Sequence, residues 1–191
     1  MKKLIFIVLT VALASCANKS DATLSEDPQG ERISIFCDHI RTVASQEGIP
    51  FAEAAARIRE IGYSGADVWV DQNPSELKTL DSLGFHHSCA IVRINFNDPK
   101  WGRSASGALA FVKKNGYSRL LLVPELVESP SEEVFAPMRK AVSSFVQKAA
   151  SKGIKVLVED FDNPFSLCGN TALVDALLEA VPSLGFLFDT G

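Results

Sequence analysis

The sequence predicts a parallel α/β fold, and three observations predict it. Short apolar runs such as Leu120-Leu121-Leu122-Val123 and Lys155-Val156-Leu157-Val158 lack a solvated face, which suits strands buried on both sides. Longer segments of helical period separate these runs. A recurring joint links the two: Gly62-Tyr63, Gly84-Phe85, Gly116-Tyr117 and Gly153-Ile154 each set a helix-ending glycine before an apolar residue and then a strand. The glycine supplies the positive φ that closes a helix, and the apolar residue packs back beneath it. The joints are unequally spaced, so they mark structural units and not sequence repeats.

In order, the expected strands run from Arg32 to Phe36, Ala66 to Val70, Ser88 to Ile94, Arg119 to Val123, Ile154 to Val158 and Leu184 to Phe188. Phe51, Ala55 and Ile58 share one face of a helix that opens with Pro50 and ends at Gly62. Asn73-Pro74-Ser75-Glu76 supplies a cap, a first-turn proline and an acid for a helix ending at Gly84. Ser129-Pro130-Ser131-Glu132 repeats that arrangement, with Pro137 expected to start the main helix after a short extra turn. Met138, Val142, Phe145 and Ala149 then mark a buried stripe closing at Gly153. Asn170 caps a helix through Leu173, Leu177 and Ala180 that Pro182 closes. Six such steps without a second domain fit either a barrel or a doubly wound sheet.

The chain begins Met1-Lys2-Lys3, continues apolar from Leu4 to Ala14 apart from Thr10, and reaches Leu13-Ala14-Ser15-Cys16. The apolar run is far shorter than the roughly 20 residues that cross a bilayer, so residues 1–15 read as a signal peptide. The Leu-Ala-Ser-Cys quartet resembles the bacterial lipobox. That resemblance implies a lipid on Cys16 and a lipoprotein in the cell envelope, and Ala17 favours the outer membrane facing the periplasm. Residues 16–30 are polar and aperiodic and read as a tether, leaving residues 31–191 as one domain. Loss of the signal removes two lysines and no acid, moving the formal charge from −4 to −6. An acidic domain argues against a nucleic-acid partner. Cys37, Cys89 and Cys168 show neither framework nor metal-ligand spacing, and Cys37 and Cys89 fall in apolar strand-like runs as small buried groups.

Three segments carry a family resemblance. Ile61-Gly62-Tyr63-Ser64-Gly65-Ala66-Asp67-Val68, the step Ala149-Ala150-Ser151-Lys152-Gly153-Ile154-Lys155-Val156-Leu157-Val158-Glu159, and Leu184-Gly185-Phe186-Leu187-Phe188-Asp189-Thr190-Gly191 resemble strand steps of the sugar phosphate isomerase/epimerase superfamily. These are the xylose isomerase-like TIM barrels. The resemblance implies a (β/α)8 barrel with its active site at the C-terminal strand ends. It implies Glu159 and Asp189 as metal ligands, with Glu159 also an acid/base residue. A divalent ion (Mn, Mg, Co or Zn) would polarise a carbonyl while a carboxylate removes the adjacent proton, giving an enediolate from a sugar or keto-sugar. Many relatives follow the strand 5 glutamate with Asn, where this chain has Asp160.

Other expected mouth residues are His39, Trp69 and Glu125 as candidate sugar contacts, with Asp38, Asp71, Asn95, Asn97 and a loop residue Trp101 nearby. Each alone is equally a capping or solvated group. His86 and His87 precede strand 3 and belong to the barrel's bottom. A complete barrel needs about 250 residues, so an incomplete one with two open sheet edges is expected here. No glycine-rich phosphate loop supports the doubly wound alternative. Functionally the rivals are a non-catalytic remnant or carbohydrate-binding lipoprotein, and an endonuclease IV-like repair enzyme. The last uses histidines at early strand ends, where Asp71 and Asn95 stand here, and export and acidity oppose it.

Overall fold

The structure, a computed structural model, describes residues 33–188. The signal, Cys16, the tether and Asp189 lie outside the described residues. Within them the chain alternates β1 (Ser34–Phe36), α1 (Cys37–Glu47), α2 (Phe51–Glu60), β2 (Gly65–Trp69), α3 (Pro74–Ser82) and β3 (His86–Ile94). It continues through α4 (Trp101–Lys114), β4 (Arg119–Pro124), α5 (Glu132–Ala150), β5 (Lys155–Glu159), α6 (Thr171–Ala180) and β6 (Gly185–Leu187).

The six strands pair in parallel in the order β1-β2-β3-β4-β5-β6. A doubly wound sheet reverses its strand order at a switch point. Sequential order throughout is that of a barrel wall, so the sheet is a curled portion of a TIM barrel. Among the described residues β1 and β6 each pair on one side only.

Two apolar layers hold the sheet. Outside it, Ala90, Val92, Ile94, Leu120, Leu122, Val156 and Val158 pack against helix residues such as Ile40, Val112, Met138, Val142 and Phe145, all nearly or fully buried. Each fully buried large apolar side chain contributes about 1.5–3 kcal/mol. Inside, Cys89, Ile91 and Leu121 meet Phe36, Trp69, Val123 and Leu157. Strand residues thus alternate between the two layers, although both are apolar.

The joints are as expected. Gly62, Gly84, Gly116 and Gly153 have φ of 113°, 74°, 74° and 73°. The next residue closes back on the helix in three of them: the Phe85, Tyr117 and Ile154 N–H groups donate to Leu80, Val112 and Ala149 carbonyls. Asn73 and Asn170 cap α3 and α6 through their side chains.

Several expectations are corrected. Cys37, expected in a strand-like run, instead begins α1, and with Ile40 it forms the buried face of that helix. Helix α5 runs unbroken through Pro137, with Ser131 as N-cap in place of Ser129. Six residues into a nineteen-residue helix, the proline forfeits one backbone bond near the start, a loss that the apolar stripe outweighs. Trp101 is no loop residue but the first of α4, its ring centroid 5.4 Å from that of Phe96. Strand β3 starts at His86, not Ser88, because His86 and His87 pair with Gly65 and Ala66 before a register shift. Both histidines still lie at the N-terminal end of the strand, where His87 bonds Asp81 at 2.7 Å and stacks on Tyr117.

Candidate active site

Side-chain alternation decides which residues reach the barrel interior. On β3, Cys89 and Ile91 face inward, so Arg93 does too; on β5 Leu157 faces inward and Glu159 follows in phase. Trp69 pairs with Ile91, Leu121 with both Ile91 and Leu157, and Leu157 with Gly185, which makes one interior layer. Arg93 pairs with Val123, and Glu159 with Leu187, one step further toward the C-terminal ends. Arg93, Val123 and Glu159 therefore share the mouth layer, with one strand between the arginine and the glutamate. At a strand spacing of about 4.8 Å their backbones stand about 10 Å apart.

Near the first strands the mouth is a polar network. The Trp69 Nε1–H donates to Asp38 Oδ2 at 3.0 Å, and the Phe36 ring meets Trp69 edge-on at 5.7 Å. Arg41 donates to Asp38 Oδ1 at 2.5 Å and forks onto Glu76 at 3.1 and 2.7 Å. The hydrogen bond to Glu76 is the main cause raising the Arg41 pKa, against a lowering by burial. Gln72 donates to Glu76 at 2.5 Å and to Cys37 Sγ at 3.0 Å. Arg93 lies over the Trp69 ring, 5.6 Å from its centroid. Asp38, Arg41, Trp69, Gln72 and Arg93 line a cavity of about 790 Å³.

Of the residues expected from sequence, Glu159 is the last of β5 and half-buried. Trp69 is the last of β2, and Glu125 follows β4 with its N–H on the Ile94 carbonyl at 3.0 Å. His39 lies exposed on the first turn of α1, its ring edge-on to Phe36 at 5.8 Å. Asn95 closes its own turn by accepting from the Asn97 N–H, a capping role. Arg41, Gln72 and Arg93 were not singled out from sequence, and Glu76 was expected only as the first-turn acid of α3. For Arg93 a signal existed, the two-residue phase from Cys89 and Ile91; for Arg41 and Glu76 none did, since they meet only through the fold. Burial pushes the Cys37, Cys89 and Cys168 thiols up to about 12, so none supplies a thiolate.

A divalent ion needs several oxygen donors. A carboxylate on a rigid strand end suits that chemistry, and Glu159 provides one. Among the described residues no three possible ligands gather into a group.

No family model matches the chain, and no curated protein matches it. Solved structures do. The fold resembles a sugar phosphate isomerase/epimerase from Parabacteroides distasonis with a TM-score of 0.66 at 13% identity, over 87% of this chain and 70% of that one. It resembles a probable 3-DHS dehydratase from Bacillus anthracis with a TM-score of 0.64 at 14% identity, over 83% and 63%. It also resembles a xylose isomerase-like TIM barrel protein from Mycobacterium smegmatis in complex with magnesium, with a TM-score of 0.56 at 14% identity, over 71% and 55%. The chain thus spans less than two thirds of the second and third proteins. At such identities the likeness is one of fold: the chain has the xylose isomerase-like TIM-barrel fold, represented by six consecutive parallel strands.

Proposed function

We propose that the chain is an isomerase or epimerase of a sugar or keto-sugar, working through an enediolate and dependent on a divalent metal ion. The observation that carries this reading is Glu159, a carboxylate facing inward from the end of β5 in the mouth layer. Glu159 takes the proton on the carbon beside a carbonyl; returning it to the former carbonyl carbon, as the hydroxyl proton passes between the two oxygens, isomerises, whereas epimerisation needs a second acid on the opposite face. Ile91, Leu121 and Leu157 form the apolar layer beneath it. Glu159 and Asp189 are the residues assigned to hold manganese, magnesium, cobalt or zinc, which when bound polarises the carbonyl. The sugar phosphate isomerase/epimerase and the magnesium complex among the fold relatives support the substrate class and the metal.

Incubation of the full chain with manganese and a ketose in D2O tests this. Deuterium should enter at the carbon beside the carbonyl, and Glu159→Gln should lower that exchange at least about 100-fold, within the range attributed to a general base. Exchange that is absent, or equal in Glu159→Gln, would overturn the proposal and favour a carbohydrate-binding role.

Independently of that activity, we propose from the lipobox-like Leu13-Ala14-Ser15-Cys16 that the chain is an envelope lipoprotein held at Cys16. Among the described residues no helix is long and apolar enough to cross a membrane, so on this proposal the acyl chains supply the attachment.

A further inference from the structure

We propose that Arg93 anchors an anionic group of the substrate, so that the sugar derivative carries a carboxylate or phosphate. The inference rests on the reading of the strand-end mouth as the active site. Arg41 and Arg93 both line the cavity beside the first strand ends, which continues over Val92 to Ser104, Gly107 and Ala108 of α4. Arg41 is committed, bonded to Asp38 and forked onto Glu76. Arg93 meets no carboxylate within ion-pair distance among the described residues; its partner is the face of Trp69.

That contact positions the cation without consuming its donors. The guanidinium charge is drawn to the π face of the ring, and among the described residues none of its five N–H donors is engaged in a hydrogen bond, so they remain available to an oxyanion. The ring it rests on is itself fixed, by the Asp38 hydrogen bond at one edge and by Phe36. A planar guanidinium fork with its donors uncommitted suits bidentate recognition of carboxylate or phosphate.

Placement does the rest. Arg93 and Glu159 occupy one interior layer with β4 between them. Backbones about 10 Å apart, each sending a side chain inward, leave room for a small acidic sugar to reach from one to the other. An anion held at Arg93 therefore fixes which carbon Glu159 meets. The anchor is a binding residue and does not touch the transferred proton.

The test uses the full chain carrying Trp101→Phe, which leaves Trp69 as the sole indole, titrated without metal at constant ionic strength. Inorganic phosphate, glycerate and neutral erythritol are the probes, and Trp69 fluorescence the readout. Phosphate or glycerate should give a saturable change and erythritol none; the tighter of the two anions identifies the group as phosphate or carboxylate. Arg93→Gln should weaken that binding at least ten-fold, Arg93→Lys should keep part of it, and the exposed control Arg103→Gln should leave it unchanged. The Trp69 indole N–H resonance in the otherwise unaltered chain repeats the readout if Trp101→Phe disturbs folding. No saturable change with either anion, or wild-type affinity in Arg93→Gln, overturns the proposal. Manganese binding is measured separately: its failure alone counts against the metal-dependent reading and not against Arg93.

Discussion

The loop after β5 makes a sharp demand on one glycine. A Cβ on Gly169 would stand 2.0 Å from the Asn163 carbonyl oxygen, 2.9 Å from the Asn163 carbonyl carbon and 3.1 Å from the Ser166 carbonyl oxygen. All three are backbone atoms, so no side chain can swing aside. Reaching ordinary contact of about 3.4 Å requires a displacement of more than about 1 Å. That displacement strains the bonds closing the loop: Ser166 N–H to Asn163 O at 2.8 Å, Gly169 N–H to Ser166 O at 3.2 Å, and Phe161 N–H to Cys168 O at 3.1 Å. Losing two such bonds at about 1 kcal/mol each gives a cost of about 2 kcal/mol for Gly169→Ala. In a domain of this size that lowers Tm by about 4–8 °C. The paired control is Gly107→Ala, in the middle of α4, where an added Cβ meets nothing within 4 Å. Removing a helix-interior glycine should stabilise by about 0.5–1 kcal/mol. Thermal unfolding followed by circular dichroism reads both variants. A Gly169→Ala melting point equal to wild type, or equal losses in both, refutes the steric argument.

Two further outcomes are expected. Asp67 faces the lower interior, where burial raises its pKa above 3.8 while hydrogen bonds from Ser34 and Ser88 oppose the rise. An acid held more tightly in the folded state costs stability as pH rises from its unfolded pKa through its folded one, and the loss is complete above that. Asp67→Asn, which can still accept from Ser34, should therefore melt higher than wild type at pH 7, with the difference closing as the pH falls toward 4; a pH-independent difference would contradict this. For the anchor, Cys16→Ser should move the expressed protein from the membrane fraction to the soluble fraction and abolish incorporation of labelled palmitate, and continued membrane retention would remove the lipoprotein proposal.

Much of the fold was legible because the features that encode it are local. A glycine before an apolar residue, a run with no polar face and an asparagine before a helix each act over a few residues, and each sits where the sequence puts it. What escaped was decided at longer range. Helix α1 starts directly from β1 without a capping side chain, so nothing in the sequence marks the change. Pro137 looks like a helix start, yet Phe135, two residues earlier, is already buried and keeps the preceding segment helical. The site divides in the same way. Glu159 was visible because a strand simply ends on it. The cluster of Arg41, Gln72 and Glu76 joins residues from α1, the turn after β2 and α3.

The chemistry open to this mouth is narrowed as much by what surrounds the carboxylate as by the carboxylate itself. Cys89 lies in the interior below Glu159, and its thiol is pushed up to about 12 by burial first and then by the negative charges of Asp67 and Glu159. It stays protonated and cannot compete as a nucleophile at neutral pH. His39 is exposed on α1, on a different element from the inward-facing mouth layer. On the proposed reading, proton transfer in that layer would fall to Glu159. A carboxylate alone is a weak base toward a carbon acid, so its catalysis depends on charge that stabilises the developing oxyanion. On the two proposals a cation at the mouth layer and a metal ion would answer different parts of that need: Arg93 would hold the substrate's permanent anion at one end, and an ion held by Glu159 would supply charge where the oxyanion forms. Exchange that survives in Arg93→Gln with a raised KM and an unchanged kcat would fit this division. A fall in kcat alone would place Arg93 at the reacting carbon and make it catalytic.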